Sequence, residues 1–168
     1  PLEMYLATVK SDKRIEVHWE RSQQRNVKYY SIDRKANDNA WINEWKFFTD
    51  TFLIDSIADT QTNYYTYRVR AIDQCDYRSE KSVIANSILL DANTTDRDFV
   101  LTWNRYKEWK TGVKEYVVER MPPTGTSFNV IAKLIPSDTS FLDTSAFLQF
   151  EDPFLYRVYA VENGNNPD

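Results

Sequence analysis

Large apolar residues fall at alternate positions in several short segments of the chain. Ile15, Val17 and Trp19 would face one side of a strand while Glu16, His18 and Glu20 face the other, the period of two that belongs to a half-buried strand. Tyr30 with Ile32, and Tyr67 with Val69 and Ala71, carry the same alternation. Polar intervals such as SQQRN and KANDN separate these segments, and no stretch sustains a 3.6-residue period between helix caps. The pattern predicts an all-β protein built from short strands.

The same segments recur. IEVHW (Ile15 to Trp19) matches FVLTW (Phe99 to Trp103) at an offset of 84; VKYYSIDR (Val27 to Arg34) matches VKEYVVER (Val113 to Arg120) at 86; YRVRAID (Tyr67 to Asp73) matches YRVYAVE (Tyr156 to Glu162) at 89. A weaker pair, DTFLID (Asp50 to Asp55) and DTSFLD (Asp138 to Asp143), falls at 88. An offset that grows slowly is what loop insertions between fixed strands produce. The chain is therefore read as two copies of one domain, over 1–87 and 88–168. With turn signals at this spacing, each copy is expected to be a β-sandwich of roughly 85 residues.

These residues resemble the fibronectin type III family over nearly the whole chain. That family carries a buried Trp on its second strand, a Tyr on the third in a Y-x-V pattern, and a Tyr opening the sixth in Y-x-V-x-A. Trp19, Tyr30 and Tyr67 supply the set in the first copy, and Trp103, Tyr116 and Tyr156 in the second. The resemblance implies two consecutive immunoglobulin-like sandwiches, with the hydroxyl of the sixth-strand Tyr tied to the preceding loop. The stretches AIDQCDYRSEKS and TWNRYKEWKTGVKEYVVER further resemble tandem modules of large gliding-motility-associated surface proteins of bacteria, exported by type IX secretion. This implies a module found outside the cell or on its surface. One departure stands out: from Tyr67 to the expected end of the first copy near Ile88 there are 21 residues, whereas Tyr156 is followed by 12. The second copy is expected to lack its last strand or carry it truncated, leaving an edge open to self-association.

Composition changes this picture mainly by exclusion. Three glycines, one cysteine and one histidine in 168 residues supply no phosphate loop, dinucleotide fingerprint, disulfide or thiolate zinc site. Net charge is −4 with the signs interspersed, which gives no footprint for nucleic acid, and no apolar run is long enough to span a membrane as a helix. Residues 1–87 hold 13 basic and 13 acidic side chains and residues 88–168 hold 8 and 12, so the net charge lies in the second copy. His18 alternates outward on its strand with no second histidine nearby, and Cys75 has no partner in the chain. Asp91, Asn93, Asp96 and Asp98 offer oxygens for a calcium-stiffened junction or form an ordinary solvated turn, and they lack the glycine and terminal glutamate of a helix-loop-helix site. No catalytic, cofactor or metal residue is assigned, and the chain is expected not to be an enzyme.

The aromatics outside the core pattern remain as candidates for recognition. Trp41, Trp45, Phe47 and Phe48 cluster after the third strand of the first copy, and Tyr106 with Trp109 precede the third strand of the second. Trp41, Trp45, Tyr106 and Trp109 are the candidate ligand contacts, for a protein or glycan at a cell surface; the competing reading has them capping the small sandwiches or filling the junction. Trp45 and Phe47 would both point inward from a strand at 44–48. The junction VIANSILLDANTT has no Pro- or Gly-rich spacer, so a semi-rigid pair is expected. The leading reading is a non-enzymatic spacer, adhesion or interaction module of a larger secreted or surface protein. The alternative is an accessory module of a polysaccharide-degrading enzyme. A cytokine-receptor ectodomain is disfavoured by the absence of paired cysteines.

Overall fold

The computed structural model describes residues 2–24, 26–95, 98–107, 109–144 and 154–164. It divides into two compact units, Pro1–Leu89 together with Tyr106–Trp109, and Leu90–Arg105 together with Lys110–Asp168. The repeat instead places the boundary between 87 and 88, with residues 106–109 in the second copy.

The first unit contains β1 (Met4–Ser11), β2 (Arg14–Trp19), β3 (Val27–Ala36), β4 (Ile42–Phe48), β5 (Phe52–Asp55), β6 (Tyr65–Asp73) and β7 (Ala85–Asn86). They form two antiparallel sheets, β1-β2-β5 and β4-β3-β6-β7. The second unit contains β8 (Leu90–Thr94), β9 (Phe99–Trp103), β10 (Val113–Met121), β11 (Asn129–Leu134), β12 (Ser140–Asp143) and β13 (Leu155–Glu162). Its sheets, β12-β9-β8 and β11-β10-β13, repeat the same pairing with six strands among the described residues. The fold is all-β, two fibronectin type III-like sandwiches in tandem. On the side of β13 away from β10 no strand is paired among the described residues; residues 165–168 lie outside them.

The period-two pattern of the sequence becomes the core. Ile15, Val17 and Trp19 from one sheet meet Tyr30, Ile32, Tyr67, Val69 and Ala71 from the other in a single buried cluster. The Trp19 ring meets Tyr30 edge-on at 5.8 Å, and Trp103 meets Tyr116 in the same way at 5.7 Å. Such edge-to-face pairs add to the stabilisation from apolar burial. Both indole N–H groups are buried without a hydrogen-bond partner among the described residues.

The expectation for Phe47 is corrected. Phe48, not Phe47, enters the core: it lies opposite Tyr30 and its ring packs on Trp19 at 6.5 Å. Phe47 lies opposite Ser31 on the outer face and is 54% exposed. The cause is an irregular register, with Ile32 opposite Lys46 but Arg34 opposite Ile42. Glu44 sits within the irregularity with φ of +52°, where the left-handed backbone breaks simple alternation. Trp45 does pack against the core.

Candidate functional site

Charged residues occupy two repeated constellations, one toward the core and one on the outer face of the larger sheet. In the first unit Arg34 at the end of β3 and Tyr67 on β6 both reach Asp55 at the end of β5. Arg34 Nη1 donates to Asp55 Oδ2 at 2.8 Å and the Tyr67 hydroxyl donates to the same oxygen at 2.7 Å, while the Ile57 N–H donates to Oδ1 at 3.1 Å. Asp55 is 1% exposed, so its charge is stable there only because these donors replace water. The Arg34 guanidinium also lies 4.1 Å from the Trp45 ring and 4.9 Å from the Tyr65 ring. The second unit repeats the arrangement: Arg120 Nη1 and the Tyr156 hydroxyl donate to Asp143 Oδ2 at 2.7 and 3.0 Å, with Arg120 stacked 5.0 Å from Phe154. Burial, followed by the neighbouring carboxylate, raises the pKa of both tyrosine hydroxyls, so both stay protonated as donors.

The loop tie expected of Tyr67 is made two residues earlier. The Tyr65 hydroxyl accepts the Asp59 N–H at 2.9 Å, whereas Tyr67 closes the buried triad. In the second unit the position aligned with Tyr65 is Phe154, which has no hydroxyl to offer.

The outer constellation joins an acid on the central strand, an arginine on the next strand and an aromatic ring. Arg68 Nε donates to Asp33 at 2.8 Å and its guanidinium covers Trp41 at 4.0 Å. Lys81 Nζ lies 2.7 Å from the same carboxylate, and the Glu44 N–H donates to it at 2.7 Å. Burial alone would raise the Asp33 pKa, but the Lys81, Glu44 and Arg68 hydrogen bonds outweigh it and hold the carboxyl below its ordinary range. In the second unit Arg157 donates to Glu119 and lies 4.3 Å over Phe128.

Trp41 and Trp45, two of the four candidate contacts, are thus half-buried partners of arginines, Trp45 of Arg34 on the adjacent β3 and Trp41 of Arg68 on β6. Tyr106 and Trp109 stand 4.4 Å apart, and the compact division assigns both to the first unit. Tyr106 is buried and its hydroxyl accepts the Ala7 N–H at 3.3 Å; Trp109 Nε1 donates to the Tyr5 carbonyl at 2.7 Å. The structure does not bring the four together as one surface. His18 stacks on Phe52 at 6.0 Å and Cys75 is exposed in the turn after β6. Asn93 donates to Asp91 at 2.9 Å, Asp98 pairs with Thr95, and Asp96 lies outside the described residues. Among the described residues no group of three or more His, Cys, Asp or Glu side chains could hold a metal ion. Two clefts of the first unit flank the β2–β3 loop and share Arg21, Ser22 and Gln24, beside Val27 and Tyr30 in one and Leu2 in the other.

The sequence pattern missed one further device. Ser79, Ser82 and Ser87 run beside β6, and each makes a two-way bond to one residue of it. Their N–H groups donate to the carbonyls of Ala71, Val69 and Tyr65 at 2.9, 2.7 and 2.9 Å. Their hydroxyls accept the N–H groups of the same three residues, each at 2.9 Å. The visible signal is three serines between Tyr67 and the expected end of the first copy near Ile88.

No family model and no curated protein matches the chain. Among solved structures it is similar to a two-domain fibronectin type III segment of chicken tenascin, at 16% identity over 96% of this chain and 90% of that one, with a TM-score of 0.37. It is similar also to the FN1–FN3 domains of chicken CNTN1, at 12% identity and a TM-score of 0.40, covering 96% of this chain and 61% of that one. The fold assignment itself rests on strand order and on the paired core residues of the two units.

Proposed function

We propose that the chain is a non-enzymatic spacer and interaction module of a larger secreted or surface-exposed protein, of the kind found in gliding-motility-associated bacterial proteins. The observation that carries this reading is the use of its charged groups. In each unit a buried aspartate is held by an arginine ion pair and a tyrosine hydrogen bond, Asp55 by Arg34 and Tyr67 and Asp143 by Arg120 and Tyr156, a use that secures sheets. The short junction between β7 and β8 adds to it, because it leaves little chain to act as a flexible linker.

Small-angle scattering of the chain at several salt concentrations tests the spacer reading. A single inter-unit geometry that persists across salt is the expected outcome; a freely varying geometry removes it. Glycan binding would favour the accessory-module alternative, provided it is lost in Trp41→Ala. Self-association through β13 predicts a concentration-dependent mass in analytical ultracentrifugation, and a monomer at all concentrations removes that element.

A further inference from the structure

The outer face of the larger sheet can be compared rung by rung between the units, because the register of β3 with β6 is repeated by β10 with β13. One rung is common to both, Asp33–Arg68–Trp41 and Glu119–Arg157–Phe128. Two are not. Where the first unit places the Tyr29 and Phe47 rings 5.2 Å apart, the second places a Glu115–Lys133 ion pair at 3.2 Å. Where the first pairs Ser31 with Arg70 across the strands, the second pairs Val117 with Tyr159. The Val117–Tyr159 rung shows that this fold does not require a cation at that point.

Arg70 is nevertheless there, half-buried at the middle of the face, and it is without a counter-charge. Among the described residues it makes no ion pair or side-chain hydrogen bond, and its Nε is buried without an acceptor. Ser31 beside it is 1% exposed and its hydroxyl likewise has no partner. The other arginines and the lysine around it are engaged: Arg68 and Lys81 on Asp33, Arg78 on Glu44. A half-buried guanidinium without an anion is unfavourable, and a carboxylate arriving at it forms a charge-assisted bond in partly desolvated surroundings. With Lys35, which lies 3.9 Å from Asp38, the face carries five cations against three carboxylates that are already paired. One strand from Ser31, the exposed ring of Phe47 continues the row Arg70–Ser31–Phe47 across three adjacent strands.

We infer that the outer face of β4, β3 and β6 in the first unit docks an acidic segment of a protein partner, with an Asp or Glu carboxylate on Arg70 and a neighbouring apolar side chain on the Tyr29–Phe47 pair. A protein segment is favoured over an acidic glycan because the face offers no bare aromatic plane: Tyr29 and Phe47 meet at 83°, and Trp41 has a guanidinium 4.0 Å over its ring. Complementary charge guides such an encounter, and the apolar contact holds it. The inference rests on the interaction-module reading and adds the chemistry of the partner; its failure leaves the spacer test by scattering unaffected.

The test is an NMR titration of the isotope-labelled chain with the peptide acetyl-Leu-Glu-Phe-Glu-Leu-amide, following the Arg70 Nε–H and the ring signals of Tyr29 and Phe47. Saturable shifts at all three are expected, with binding weakened about tenfold or more when Gln replaces Glu in the peptide. Arg70→Tyr with Ser31→Val should weaken binding equally while keeping native amide dispersion, since it installs the pair the second unit already carries. The inference is overturned by an absence of shifts, by shifts spread evenly over Arg68, Arg70 and Arg78, by binding that survives the double variant, or by tighter binding of a galacturonic acid tetrasaccharide at the same residues.

Discussion

The two units carry the same buried triad on the same three strands, yet the strand that bears its tyrosine is sealed in one and not in the other. On β6, Tyr67, Val69 and Ala71 are each 0% exposed; on β13 the aligned Tyr156, Val158 and Ala160 are half-buried. The pairing to the central strand is alike in both, so it is not the source of the difference. The first unit adds the serine-fastened segment Ser79–Ser87 along the outer edge of β6 and the Tyr65 hydroxyl on the preceding loop. Neither has a counterpart among the described residues of the second. An ionic triad fixes the position of a strand, and it takes a neighbouring segment to exclude water from it.

The largest expected effect comes from Asp55→Ala. It leaves the Arg34 charge and the Tyr67 hydroxyl buried without their acceptor and should destabilise the first unit by about 3–5 kcal/mol. Asp143→Ala should destabilise the second unit by less, because water reaches Tyr156. Denaturant unfolding of both variants measures this, and equal losses would break the comparison. Ser82→Ala comes next. It leaves the Val69 N–H without its acceptor at a cost of about 1–3 kcal/mol, read as faster amide hydrogen exchange at Val69 and Ala71 with Val158 unchanged. Tyr65→Phe makes the first unit resemble the second at that loop and should cost about 1 kcal/mol, with exchange at the Asp59 amide rising most.

The smallest effect is that of acid. Asp33 has a folded-state pKa below its unfolded value, so its contribution is present above the unfolded carboxylate range of about pH 4 and is lost as pH falls through the lower folded value. In Asp33→Asn that part of the acid dependence should disappear from a titration of first-unit stability. An unchanged acid limb would show that Asp33 contributes nothing to it.

Much of the architecture was legible because the markers of the core are large and periodic. Trp19, Tyr30 and Tyr67 and their counterparts gave the repeat, the strands and the sandwich. Arg34 and Arg120, and Asp55 and Asp143, were visible as matched residues within those segments, but spacing along a chain does not show that β3 and β5, in different sheets, bring their ends together. The left-handed Glu44 defeated the alternation around Phe47, because a shift in register leaves no mark in a pattern of apolar and polar residues. Tyr106 and Trp109 read as spare aromatics because their partners are main-chain groups of β1, 99 and 104 residues away. Arg70 is one of thirteen basic residues in 1–87, and only the strand register, which sets Val117–Tyr159 at the equivalent rung, distinguishes it.

The buried Arg–Asp–Tyr triad also limits how the chain can change over time. Removing any one member strands charge or hydroxyl among the others, so the route from this triad to an apolar substitute passes through intermediates less stable than either end. Mutations of that kind are strongly coupled, and drift one residue at a time is blocked. Between the two units the rung Ser31–Arg70 is replaced by Val117–Tyr159, while Arg, Asp and Tyr of the triad are the same. The triad behaves as one coupled block, the same in both units, while two rungs of the outer face differ between them.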